Sequence, residues 1–246
     1  MKQSQRFSKV TACVAALVGA CFAISTHAAE GSAVVRSITG SAQYDGGGVW
    51  LPLKTGQTLN QGATVRTAND SKVDLFLDEN GPMVRLMENT TVGLDKLTFE
   101  DTGVDVVVET QLDLKSGRII GIVRKLAATS KYEIKTASGV AGVRGTEYDC
   151  LATTETRVPS GSMVVVLVKP DGTVVTQVVN SGEKFVPSSG TVEPIPADEL
   201  AQIVAELNLM RGEPVIGYRI TDPIKVFVSP TAGVDGSGNG SSIRIP

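Results

Sequence analysis

Short segments in which apolar and polar residues alternate recur along most of this 246-residue chain. Val73–Leu77, Leu112–Leu114 and Tyr132–Thr136 each carry apolar side chains at every second position. That period is typical of β-strands with one buried face. Turn sequences rich in Gly, Asp and Asn separate such segments, as at 45–48 and 79–81. The pattern predicts an all-β fold of many short strands, arranged as a sandwich, a roll or a solenoid-like domain.

One predicted hairpin has an unusual first strand. Val164–Val168 and Val174–Val179 flank Lys169–Thr173, which contains the turn sequence Pro-Asp-Gly. The first of these segments is apolar at every position and shows no alternation. Such runs are typical of strands that are covered on both faces. We therefore expect Val164–Val168 to be buried from both sides.

The segment from Ala197 to Met210 breaks the β pattern. Acidic residues stand in its first turn and Gly212 follows its end, which are signals for the start and the stop of a helix. We expect one amphipathic helix that packs on the β body, and the alternative is a helix that docks onto a partner. The predicted apolar stripe consists of Leu200, Ile203, Val204, Leu207 and Met210.

The N-terminus has the features of an export signal. Three basic residues precede a low-charge apolar run at 11–24, and Thr26-His27-Ala28 is a small-x-small site before Ala29. An apolar run of this length is shorter than a membrane-spanning helix. We expect cleavage near Ala28/Ala29, release into the periplasm or the medium, and no integral membrane span afterwards. The alternative is a lipoprotein attached through Cys21.

Four regions follow from these patterns. Residues 1–28 form the signal peptide and 29–190 the β domain. Residues 191–228 hold the helix and a short strand at 224–228, and 229–246 form a Gly/Ser-rich tail that we expect to be flexible.

Cleavage removes the residues that much enzyme chemistry requires. His27 is the only His of the chain, and Cys150 is the only Cys after residue 28. Triads built on His and zinc sites built on His or several Cys are therefore excluded. We predict no catalytic residue, no cofactor and no metal. A formal net charge of −3 without a dense basic run also argues against nucleic acid as a partner.

Several motifs in order resemble the FecR domain. Trp50–Leu53, Val65–Thr67 and Val84–Leu86 precede the most specific match, which spans Tyr132–Tyr148. Within that match lies Gly-Val-Ala-Gly-Val-Arg-Gly-Thr, followed by Glu147 and Tyr148. The residues of this structural motif are Gly139, Val140, Gly142, Val143, Arg144, Gly145 and Thr146.

The resemblance, which extends over about 31–187, implies a FecR-like β domain in an exported compartment. The best-known members of that family relay iron-siderophore signals and carry a cytoplasmic segment that handles a sigma factor. About ten residues precede the apolar run here, so we expect no such segment. We predict a non-catalytic binding or scaffold module of the cell envelope, whose partner is another envelope protein or a polysaccharide.

Two other functions remain open from the sequence. The first is an envelope enzyme that acts on glycans through paired carboxylates in a cleft. The second is a carbohydrate-binding module, which would need exposed aromatic side chains on one face. We expect Trp50, the only Trp, to pack in the core instead.

The motif residue with the strongest chemistry is Arg144. Its guanidinium offers five donors, and it lies close to the apolar residues Val140 and Val143. We expect a buried, structural Arg144 that is paired with a carboxylate or with backbone carbonyls. An anion-binding Arg144 is the alternative.

Overall fold

The structure is a computed structural model that describes residues 28–212. The predicted signal peptide up to residue 27, the strand at 224–228 and the tail at 229–246 lie outside the described residues, and the domain boundaries remain predictions.

Strands make up 55% of the described chain, which confirms the predicted all-β class with one C-terminal helix. Within residues 28–212 two segments are helical, namely Asp78–Asn80, a 3-10 turn, and Ala197–Arg211, helix α1. The strands, in chain order, are β1 Ala29–Glu30, β2 Ser32–Thr39, β3 Ala42–Asp45, β4 Trp50–Pro52, β5 Thr58–Asn60, β6 Thr64–Thr67, β7 Lys72–Phe76, β8 Met83–Leu86, β9 Thr91–Asp101, β10 Val106–Ser116, β11 Arg118–Ile122, β12 Lys131–Lys135, β13 Gly139–Val143, β14 Glu147–Leu151, β15 Thr156–Ser160, β16 Ser162–Val168, β17 Val174–Asn180, β18 Glu183–Val186 and β19 Thr191–Pro194.

The strands form two sheets. In sheet A the order is β17-β16-β13-β12-β10-β9-β6-β3-β4, and β1 pairs with β9 beside β6. In sheet B the order is β19-β18-β15-β14-β11-β8-β7-β2-β5. The pairs are antiparallel except for β10 with β12, which run parallel. In both sheets the late strands of the chain lie at one end of the order and the early strands at the other.

The core lies between the two sheets, so the domain is a sandwich. Alternation along each strand sends one set of side chains inward, such as Leu112 and Ile134 from sheet A and Leu75 and Leu86 from sheet B. The largest buried side chains join the layers at Tyr132 of β12 and Tyr148 of β14, whose hydroxyls are 3.1 Å apart.

Helix α1 covers part of the outer face of sheet B. Ile203, Leu207 and Met210 are buried against Ile120, which points outward from β11. The stripe is narrower than predicted, because Val204 is 38% exposed. The helix ends at Gly212, which adopts the left-handed conformation and donates its N–H to the last helical carbonyls. The helix thus packs on its own β body. No helix within residues 28–212 is long and apolar enough to cross a membrane.

Candidate functional site

The family-like segment at 132–148 runs from sheet A into sheet B. Its strands β12 and β13 pair in sheet A, and β14 follows in sheet B. Thr146 is buried at the crossing, where its hydroxyl donates to the carbonyl of Ser162 at 2.7 Å. The carbonyl of Thr146 accepts from the N–H of Val123 at 3.0 Å. The segment therefore ties the two sheets to each other.

The three glycines of the segment differ in how much space they leave for a side chain. Gly145 has a φ of +85°, and a Cβ there would lie 2.7 Å from the Cα of Lys125. Gly139 approaches β16 so closely that a Cβ would lie 2.3 Å from the carbonyl oxygen of Val166. A Cβ at Gly142 would meet nothing nearer than 3.8 Å. Two of the three positions thus require glycine for steric reasons.

We expect Gly145→Ala to lower the free energy of unfolding by about 1–3 kcal/mol, because it adds both backbone strain and a backbone clash. Gly142→Ala is the matched control in the same segment, and we expect it to change the free energy of unfolding by less than about 0.5 kcal/mol. Urea unfolding of both variants measures the difference. Equal midpoints for the two variants would contradict the steric role of Gly145.

The expected burial of Arg144 is wrong. Arg144 is exposed in the bend between β13 and β14, and no ion pair to its side chain exists among the described residues. The reason is its place in the chain: β13 ends at Val143, so the alternation that buries Val143 no longer applies at the next residue. Exposure alone does not make Arg144 an anion site.

Groups suited to catalysis do not converge in the described chain. Within residues 28–212 no group of three or more His, Cys, Asp or Glu side chains is arranged to hold a metal ion. Two recesses in the described chain have volumes of about 140 and 200 Å³, below the 300–1,000 Å³ of typical ligand pockets. Cys150 is buried, and burial raises the pKa of its thiol to about 12. That thiol is therefore not a thiolate nucleophile at neutral pH.

Aromatic side chains do not form a platform for sugars in the part of the chain that is described. Each aromatic residue there is buried or half-buried. The expectation that Trp50 packs in the core is wrong, because Trp50 is half-buried on the end strand β4. The guanidinium of Arg66 lies 4.0 Å from the centre of its ring. One face of the indole is thus occupied by a cation–π contact.

A network of ion pairs fixes α1 on sheet B. At one flank of the helix, Glu206 binds Lys72 at 2.6 Å and Arg85 at 2.8 Å, and Arg85 also binds Asp74 with both carboxylate oxygens. Burial opposes ionisation of Glu206, but the hydrogen bonds from Lys72 and Arg85 outweigh it and hold the pKa of Glu206 below its usual value. At the C-terminal end, Arg211 pairs with Glu147.

The other flank is centred on Asp149, which is completely buried. Arg118 contacts both oxygens of this carboxylate, at 2.7 and 2.9 Å, and Arg157 contacts one of them at 3.4 Å. Arg157 also pairs with Glu199 of the helix, and Lys184 binds the same Glu199 at 3.2 Å. The carboxylates under the helix are therefore engaged by basic side chains and serve to hold the layers together.

The sequence analysis missed this network. One local signal was available, because Asp149 and Arg157 stand opposite each other in the hairpin β14–β15. Arg118 pairs with Asp149 from 31 residues away, and Lys72 and Arg85 bind Glu206 from 134 and 121 residues away. Those contacts depend on the order of strands in sheet B, which the alternation pattern does not reveal.

An apolar surface lies on the outward face of β13, β16 and β17. We call this surface the valine face. In the antiparallel register Val164 stands opposite Val178 and Val168 opposite Val174, so these side chains share one side of the sheet. Their exposed fractions are 45%, 55%, 48% and 60%, and the half-buried Val140 and Val166 complete the surface.

The structure confirms the predicted hairpin but not the predicted burial of its first strand. The predicted hairpin is present, with Gly172 in the left-handed region of its turn. The expected covering of Val164–Val168 on both faces is wrong, because only Met163, Val165 and Leu167 of β16 face the core. The outward valines lie on the free surface of sheet A. The apolar sequence of β16 is typical of a strand that is buried on both faces, but only one face of β16 is buried.

The remainder of the same sheet surface is charged. On the neighbouring strands Lys96 lies 2.6 Å from Glu109, and Lys135 lies 3.7 Å from Asp95. Such alternation of charges is typical of a sheet face in contact with water. The boundary between the charged strands and the valine face therefore separates a solvated surface from one suited to contact with an apolar partner.

Comparison with known families supports the resemblance noted in the sequence. Residues 63–169 match the family model described as FecR protein. Over this stretch the chain is similar to the FecR domain family. No curated protein and no solved structure matches the chain.

The FecR match extends from the residue before β6 to the residue after β16, which is narrower than the resemblance at 31–187. It includes the segment at 139–146 and the first strand of the hairpin, whereas β17 and α1 lie beyond it. The family points to a regulatory or sensing module associated with the cell envelope, and it is not known as enzymatic.

Proposed function

We propose that this protein is an exported, non-catalytic FecR-like interaction module of the bacterial cell envelope, and that it binds another protein through the valine face. The observation that carries the proposal is the exposure of four cross-strand valines on one sheet surface. Exposed apolar surfaces with charged surroundings mark contact sites on soluble domains. A polysaccharide partner is less well supported, because sugar binding uses exposed aromatic rings.

Export is part of the proposal. The basic, apolar and small-residue pattern of residues 1–28 supports it. Strand β1 begins at Ala29, which is the first residue expected after cleavage. A chain that enters the periplasm or the medium would meet its partner there, and sequencing of the mature N-terminus would locate the cut.

Site-specific photo-crosslinking in the producing organism tests the proposed contact. A benzophenone amino acid is placed at position 164 on the valine face and, as the matched control, at position 104. Val104 is also an exposed valine, and it is 90% exposed in the turn between β9 and β10. We expect a protein adduct from position 164 and none from position 104. Equal adducts from both positions, or none from position 164 in correctly folded protein, would overturn the proposal.

A further inference from the structure

Strand β17 ends sheet A, and its backbone edge has no strand beside it within residues 28–212. Val168 donates its N–H to Ser138, away from β17, and Asn180 donates its N–H to the carboxylate of Glu183. In an antiparallel pair, hydrogen-bonded and non-hydrogen-bonded positions alternate. The backbone groups of Val174, Thr176 and Val178 therefore point outward, away from β16.

The other three sheet ends are protected in ways that β17 is not. Strands β4 and β5 are three residues long, and β4 ends in Pro52. Strand β19 carries Glu193 and ends in Pro194. Shortness, charge and proline are the usual means of blocking an edge against pairing. Strand β17 has seven residues with no charge and no proline, and its register with β16 has no bulge.

We infer that a second copy of this chain occupies this edge through antiparallel pairing of β17 with its symmetry mate. With the two-fold axis at Gln177, Thr176 stands opposite Val178 of the other copy, and Val175 opposite its Val179. No charged side chain meets another, and like charges directly opposite would be unfavourable. The backbone of Thr176 in each copy exchanges two hydrogen bonds with the backbone of Val178 in the other copy, which gives about four bonds across the axis.

This pairing goes beyond the proposed function, since it rests on the backbone edge and not on the valine side chains. A two-fold axis perpendicular to the sheet keeps both outer faces on the same side. The two valine faces would therefore lie next to each other and present a continuous surface to a partner. The dimer and the partner contact can exist independently, so an experiment that rules out one of them does not rule out the other.

Sedimentation velocity on protein produced from the full-length gene tests the inference with three variants. The double variant Thr176→Lys/Val178→Lys places lysines opposite each other across the axis, and Thr176→Pro removes an outward N–H. Val164→Lys changes the valine face on the inner strand β16 and leaves the edge intact. Circular dichroism monitors folding, and the lysine variants keep every backbone donor if Thr176→Pro fails to fold.

We expect a dimer for the unchanged protein and for Val164→Lys, and a monomer for the edge variants, with dimer dissociation constants at least tenfold apart. A monomeric unchanged protein, or a dimer that survives the lysine pair, would overturn the inference. A monomer produced by Val164→Lys would also overturn it, since that result assigns dimerisation to the face. Loss of the crosslink at position 164 in a dimeric protein would instead count against the proposed function alone.

Discussion

Asp149→Asn should lower the free energy of unfolding by about 3–5 kcal/mol, the usual cost of removing one member of a buried ion pair. The carboxylate is completely buried and is shared by Arg118 and Arg157. An amide of the same shape removes the carboxylate that Arg118 binds, and it leaves Arg157 paired only with Glu155 and Glu199. Urea unfolding measures the loss, which is seen as a lower midpoint at an unchanged slope of the free energy of unfolding against urea concentration.

The matched control makes the same substitution at an exposed ion pair. Asp113 lies 3.6 Å from Lys115, and the two side chains are 29% and 51% exposed. Exposed pairs contribute about 0–1 kcal/mol, so Asp113→Asn should leave the unfolding midpoint almost unchanged. Equal losses in the two variants would mean that the Asp149 cluster does not hold the structure together.

Leu207→Ala should cost about 2–5 kcal/mol of unfolding free energy, because Leu207 is fully buried between α1 and sheet B. Leu209 lies two residues further along the same helix and is 50% exposed. Leu209→Ala should therefore cost less than about 0.5 kcal/mol. Alanine and leucine have similar helix propensities, so the comparison isolates packing. A small effect of Leu207→Ala would mean that the helix contributes little to the stability of the β body.

The sequence predicted those elements whose signals are local. The hairpin β16–β17 follows from two valine-rich runs around Pro-Asp-Gly, and α1 from acidic residues in its first turn, a helical apolar period and Gly212. The structure confirms both elements. Their boundaries agree because turns and helix ends depend on a few neighbouring residues.

The errors concern the environment of a residue, which depends on distant parts of the chain. Val164 and Val168 have the sequence of a strand buried on both sides, but α1 packs on sheet B and leaves this face of sheet A open. Arg144 follows a buried valine, yet it stands where the chain passes between the sheets. Asp149 was missed because one of its partners, Arg118, belongs to β11, and two strands of the other sheet, β12 and β13, come between β11 and β14 in the sequence.

The account depends most on the claim that a partner covers the valine face in the cell. Cysteine accessibility tests it directly, because Cys150 is buried, its pKa is raised to about 12, and it should give little background labelling. Val164→Cys and Val104→Cys are each treated with a maleimide in intact cells and again after purification. The account predicts that both cysteines react in the purified protein and that position 164 is protected at least severalfold in cells, whereas position 104 is not. Equal labelling of the two positions in cells would contradict it.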